Sequence, residues 1–208
     1  QELFGIQLPI IQAPMAGVQA SALTIAVSQA GGLGSLPCAM LTHDALRTEL
    51  AAIATSGIKA YQINFFAHTP PVPDAAREAA WRESLAPYYR EFGIDAASIP
   101  TGPGRMPFSP EALEIIAPFK PPVVSFHFGL PPDDLLAPIR AWGGKILSSA
   151  TTLAEARWLA ARGVDAIIAQ GLEAGGHRGM FLSDDLTTQI GTLPLVRQIV
   201  RSVDKPVI

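Results

Sequence analysis

The sequence predicts an α/β fold of the TIM (β/α)8-barrel type, incomplete in this chain, and three observations predict it. Short runs that are apolar on both faces recur along the chain, as strands do when helices cover a parallel sheet. Between them lie stretches with apolar residues at helical spacing and with capping signals at their starts. Polar and glycine-rich residues then collect just after the runs, where parallel sheets place their chemistry.

Taken in order, strands are expected at 9–13, 32–36, 60–65, 123–127, 145–148 and 164–169, with the start of a seventh at 206–208. A closed ring needs eight strands. The chain is therefore expected to be a piece of a longer barrel, or else its sheet is open; a first residue of Gln1 rather than Met points to a trimmed end.

The helices have recognisable starts. Ser109, Pro110 and Glu111 supply a cap, a first-turn proline and a dipole-matched acid ahead of Leu113, Ile115 and Ile116. Thr152 and Glu155 have the spacing of a capping box ahead of Leu153, Ala156 and Leu159. Thr192 precedes an apolar face of Leu195, Val196, Ile199, Val200 and Val203. One domain, 1–208, is expected, with a helical insertion at about 69–120 that is too long for an ordinary crossover. It holds a proline-rich start, a helical run at 74–92 and a loop at 99–104. Trp81, Tyr88, Tyr89 and Phe92 recur there at helical spacing and read as core, with a lid as the alternative.

Composition narrows the function classes. Of the 208 residues 49% are hydrophobic, enough for a substantial core, while only 16% are charged and the formal net charge is -3. With no Lys/Arg-rich block, a nucleic-acid partner is not expected. No apolar run approaches the roughly 20 residues of a membrane span, and no secretory leader pattern is present, so a soluble cytoplasmic protein is expected. Oligomerisation stays open. Cys38 is the one cysteine, which leaves a buried thiol rather than a disulfide framework or a multi-cysteine zinc site. No H-E-x-x-H or similar ligand spacing occurs, so no metal is expected. Neither G-x-G-x-x-G opening a helix after the first strand nor G-x-x-x-x-G-K-[ST] is present, which disfavours a Rossmann dinucleotide site and a P-loop.

The strand ends carry the candidate chemistry. They offer Gln12 and the turn Ala13, Pro14, Met15; then Asn64 and His68; then Ser125, His127 and Gly129; then Ser148 and Ser149; and finally Gln170, Glu173, Gly175, Gly176 and His177. Asn64 and Gln170 are neutral amides whose donors and acceptors need partners if buried, either a heterocycle with alternating carbonyls and NH groups or a neighbouring loop. Strand alternation puts Ser125 and His127 on one face and Phe126 and Phe128 on the other. His127 taken alone reads as structural. Gly175 and Gly176 allow positive φ and close approach of a ligand to the backbone, with exposed NH groups suited to an anion. His177 beside them can move a proton near neutral pH. His43 and His68 lack such surroundings and read as structural. Glu173 and Arg178 read as solvated or structural.

These residues form a pattern. IIQAPMAGV at 10–18, QAGGLG at 29–34, SFHFG at 125–129 and AQGLEAGGHRG at 169–179 resemble, in order and over the whole chain, the nitronate monooxygenases, formerly 2-nitropropane dioxygenases. The resemblance implies an FMN-dependent TIM barrel that oxidises alkyl nitronates, or nitroalkanes, with O2 to a carbonyl compound and nitrite. It implies that His177 is catalytic and that His127 lines the substrate pocket. It places Ala13, Pro14, Met15, Asn64, Gln170, Gly175 and Gly176 in the flavin site. Family members continue beyond the seventh strand with residues that grip the FMN phosphate and complete the pocket. Without that part, FMN binding is expected to be weak or absent. The alternatives are another FMN-barrel oxidoreductase, of enoyl reductase or NADH:quinone reductase type, or an inactive fragment of such an enzyme.

Overall fold

Five strands, β1 (Gly34–Pro37), β2 (Tyr61–Phe66), β3 (Val123–His127), β4 (Lys145–Ala150) and β5 (Ala166–Ala169), form one sheet in the computed structural model. The structure describes residues 1–99 and 105–208, so most of the loop expected at 99–104 lies outside the described residues. All four strand pairings are parallel and the spatial order is the chain order. The helices are α1 (Ser21–Gln29), α2 (His43–Ser56), α3 (Ala75–Glu91), α4 (Pro110–Ile116), α5 (Asp133–Ala141), α6 (Leu153–Ala161) and α7 (Thr192–Val200). Parallel neighbours joined by crossover helices are the repeat from which a (β/α)8 barrel is built.

The expected first and seventh strands are reduced to single parallel bridges. Ile11 bridges Leu33 through Gln12 N–H to Leu33 O (3.0 Å) and Leu33 N–H to Ile10 O (2.9 Å). Val207 bridges Ile167, with Ile167 N–H on Pro206 O (2.9 Å) and Ile208 N–H on Ile167 O (2.9 Å). Prolines limit both ladders: Pro14 lacks the N–H that the rung after Gln12 needs, and Pro206 lacks the one that would precede the Val207 bridge, past which Ala169 N–H still reaches Ile208 O at 2.8 Å.

The chain divides into two compact units, Gln1–His68 with Pro107–Ile208, and Thr69–Met106. The smaller unit is α3, capped by Asp74, and a short 3-10 turn, Ala96–Ser98, whose Ala96 carbonyl accepts from Arg82 Nη1 at 3.1 Å. No residue of α3 is buried, and Trp81, Tyr88 and Phe92 are exposed, so the core reading of these aromatics fails. Within this unit one helix and one turn provide no second layer to bury them.

In the larger unit the two faces of the sheet differ. Leu36, Ile63, Phe65, Val124, Phe126, Ile146 and Ile167 belong to the main core with helix residues such as Leu50, Ile53, Ile139, Leu159, Leu195 and Ile199. Leu33, Val123, Leu147 and Ala166 form a second, smaller cluster on the opposite face, against which Leu3, Phe4, Ile6 and Ile11 pack. Continuing along this inner face toward the C-terminal strand ends, the side chains turn polar: Ser35 pairs with Gln62, and Asn64 with Ser125. An apolar floor thus gives way to a polar mouth, the layering expected of a barrel with its chemistry at one end.

Candidate active site

β3 delivers Ser125 and His127 to the inner face, and the expected alternation ends there. Phe128 takes φ 69, a left-handed conformation that is costly for an aromatic residue. Phe126 stays in the helix-side core, whereas Phe128 turns to the strand ends and meets Phe66 edge-on at 5.1 Å. This corrects the expectation that the two aromatics share a face. Gly129 follows with φ 92, and its carbonyl accepts from Ser148 Oγ at 2.7 Å, which ties the turn to β4.

Both ring nitrogens of His127 are engaged. Nε2 lies 3.1 Å from the His177 carbonyl and Nδ1 3.0 Å from Ser149 Oγ. A carbonyl only accepts, so the neutral ring carries its proton on Nε2 and takes the Ser149 hydroxyl hydrogen at Nδ1. Burial holds the basicity of His127 below the ordinary imidazole value, opposed by its bond to the His177 carbonyl. With both nitrogens spent, His127 positions the loop that carries His177.

Gln170 completes the grip. Its Nε2 donates to the same His177 carbonyl at 2.9 Å, and its Oε1 accepts from Gly179 N–H at 2.7 Å. The amide is therefore used on its neighbouring loop, one of the two roles open to it from sequence. Arg178 Nη1 donates to the Gln170 and Gly171 carbonyls at 3.1 and 2.6 Å. Glu173 accepts from Thr192 N–H and Oγ1, both at 2.8 Å, and so caps α7. Both charged residues are structural, as their setting in the sequence implied.

Glu173 supplies a pH test. Its carboxyl is held below the ordinary value of 4.5 by its own backbone N–H and by Thr192. A lowered folded-state value means that this contribution to stability is present above the ordinary value and disappears as pH falls through the lower one. Thermal melting of Glu173→Gln beside wild type is expected to show a lower Tm at neutral pH, with the difference closing in acid.

The His177 side chain is exposed and makes no hydrogen bond among the described residues; only its backbone is gripped. Its ring stands edge-on to Phe66 at 5.4 Å and to Phe128 at 5.8 Å. His68, read as structural from sequence, shares these neighbours, at 6.1 Å from Phe66 and 6.0 Å from Phe128, and its Nδ1 is buried without a partner among the described residues. The sequence offered one signal for it, the position two residues beyond Phe66, just past the end of β2.

The expected cofactor residues are placed as follows. Gly176 has φ 75, and an ideal Cβ at Gly175 or Gly176 meets no heavy atom within 4 Å, so open space adjoins both. Asn64 is buried and its Nδ2 donates to Ser125 Oγ at 2.9 Å, while nothing among the described residues bonds to its Oδ1. Deeper on the same face, Gln62 Oε1 is buried and unpartnered. Ala13, Pro14 and Met15 form an exposed stretch leading into a turn at 16–18 at the same end of the sheet, with Ala13 O accepting from Gln19 Nε2 at 3.3 Å, and they make no hydrogen bond with the His177 loop. Among the described residues no cluster of three or more His, Cys, Asp or Glu side chains is placed to hold a metal ion. None of their helices is long and apolar enough to cross a membrane.

A family model described as nitronate monooxygenase matches residues 1–208. The chain belongs to the nitronate monooxygenase family. It is 42% identical to a nitronate monooxygenase of Paraburkholderia phytofirmans, over 99% of this chain and 57% of the relative. It is also 42% identical to one of Pseudomonas aeruginosa, over 99% and 59%. Among solved structures, a nitroalkane oxidase from Streptomyces ansochromogenes superposes with TM-score 0.85 at 37% identity, over 98% of this chain and 58% of that one. FabK from Thermotoga maritima follows the same fold with TM-score 0.69 at 25% identity, over 99% and 51%. The chain thus spans somewhat more than half the length of the nitronate monooxygenases it matches.

Proposed function

We propose that this protein oxidises alkyl nitronates, and the parent nitroalkanes, with O2 to a carbonyl compound and nitrite, using FMN. Nitronate monooxygenases are flavin-dependent oxidoreductases, and family membership supports a flavin here. One observation carries the reading: the His177 imidazole is left free at the strand ends while its own carbonyl is fixed by His127 and Gln170. A proton-handling side chain on a loop immobilised through its backbone is preorganised for chemistry.

The residues present fit a flavin. Open backbone at Gly175 and Gly176 gives clearance for a flat ring system, and Asn64 Oδ1, to which none of the described residues bonds, is left over on the inner face for an N–H donor. The stretch Ala13, Pro14, Met15 adds exposed backbone at the same end. When bound, the flavin supplies the electron-transfer and oxygen chemistry. His177 holds a nitronate anion by hydrogen bonding through its ring, and it removes the α-proton when the substrate arrives as a neutral nitroalkane. Phe66 and Phe128 give the alkyl part an apolar edge, and His127 lines the site while its nitrogens hold the loop. In the net change the nitronate C=N bond breaks, the carbon gains one oxygen atom and nitrogen leaves as nitrite, so that each O2 serves two nitronates and yields two carbonyl compounds and two nitrite ions.

The test is aerobic turnover with FMN in excess. Propyl nitronate is expected to yield nitrite and the matching carbonyl compound in equal amounts with O2 uptake. O2 uptake and nitrite no higher than with FMN alone would overturn the reading.

A further inference from the structure

We infer that Glu155 is a positioning residue for His177, its buried carboxylate fixing the far end of the catalytic loop to the start of α6. The inference deepens the proposed function and rests on His177 as its proton-handling group.

The side chain is placed against expectation. As the third residue of α6, Glu155 has the spacing to close a capping box on Thr152 N–H. Only half of that box forms: Thr152 Oγ1 accepts from Glu155 N–H at 3.2 Å. The carboxylate is directed elsewhere. Its Oε2 accepts from Thr151 N–H and Thr151 Oγ1, both at 2.7 Å. Its Oε1 accepts from Phe181 N–H at 2.7 Å and Leu182 N–H at 3.3 Å. Glu155 is 1% exposed and has no ion-pair partner among the described residues. A carboxylate without a cation is costly to bury, and four converging donors are what offset that cost.

Those donors belong to Thr151, one residue past the end of β4, and to the loop, so the carboxylate joins them. His127 and Gln170 hold the loop at the His177 carbonyl, Gln170 holds it at Gly179 N–H, and Glu155 holds it at Phe181 and Leu182. Phe181 is fixed further by packing on Trp158 of α6 at 5.1 Å. Thr151 in turn accepts from Gln189 Nε2 at 3.1 Å, which extends the brace toward the start of α7. Released at 181 and 182, the segment after His177 would be held only from one side.

The test compares Glu155→Gln and Thr151→Val in the full chain with FMN, reading amide hydrogen exchange and propyl nitronate kinetics. In Glu155→Gln one acceptor oxygen becomes a donor facing N–H groups. Exchange at Phe181 and Leu182 is expected to rise about tenfold or more, and kcat to fall about tenfold with KM changed little. Thr151→Val removes one donor to Oε2 and the acceptor for Gln189 Nε2 but leaves both bonds to Oε1, so it lowers Tm while the 181–182 amides stay protected and kcat holds within about twofold. Unchanged exchange at 181 and 182 in Glu155→Gln overturns the inference, and so does an equal fall of kcat in both variants. Loosened amides in Glu155→Gln, in a protein whose wild type turns over no nitronate, would remove the proposed function and leave the hold on the loop established.

Discussion

Replacing His177 by Asn is expected to leave the fold and FMN binding unchanged and to lower kcat on a neutral nitroalkane by about 10²–10⁴-fold, the range for loss of a positioned proton-transfer group. The side chain is exposed and unbonded, so its removal breaks no internal contact beyond the edge-on rings of Phe66 and Phe128. The loop keeps its backbone grip, because His127 and Gln170 act on the carbonyl of residue 177 and not on its ring. A preformed nitronate has already lost its α-proton. With it the loss is expected to be smaller and to fall partly on KM. Steady-state kinetics on both forms of one substrate, beside melting curves, check the split. Equal turnover by variant and wild type on the nitroalkane would remove His177 from the chemistry.

The second large effect is expected from Gly179→Ala. An ideal Cβ there lies 2.5 Å from His127 Cε1 and 2.9 Å from its Nδ1. The imidazole is rigid and bonded at both nitrogens, so it cannot retreat without releasing Ser149 or the His177 carbonyl. Overpacking of this kind costs about 1–3 kcal/mol, and displacement of a catalytic group by about 1 Å can cost roughly 10²-fold in rate. Gly175→Ala meets open space instead, so it serves as the control for stability. A Gly179→Ala protein with wild-type Tm and wild-type turnover would show that His127 does not hold the loop.

Much of this was legible in the sequence, and the reasons are local. The apolar runs at 60–65, 123–127 and 145–148 became β2, β3 and β4 because both of their faces are covered. Ser109 and Thr152 cap α4 and α6 through Ala112 N–H and Glu155 N–H, as their spacing required. Gly176 adopts the positive φ that a double glycine allows. What failed did so where tertiary partners decide. Strand alternation could not foresee the φ of Phe128, which carries that ring to the strand ends. The strand-end position of His68 was legible, but not its neighbours Phe66 and Phe128 just past the end of β2. The role of Gln170 depended on whether a loop or a ligand reached it first, and only the folded chain shows Gly179 N–H and the His177 carbonyl on its amide. Glu155 reads as half of a capping box until its carboxylate is seen on Phe181 and Leu182.

Anaerobic addition of reductants to the FMN-saturated chain tests the central claim most directly, since the alternative raised from the sequence is an FMN-barrel reductase, for which a nicotinamide would be the electron donor. The visible absorbance of the flavin is followed as propyl nitronate, NADH or NADPH is added under argon. Bleaching by the nitronate, slowed in His177→Asn, with the nicotinamides inert, is the predicted result. Rapid bleaching by NADH or NADPH with the nitronate inert would contradict it.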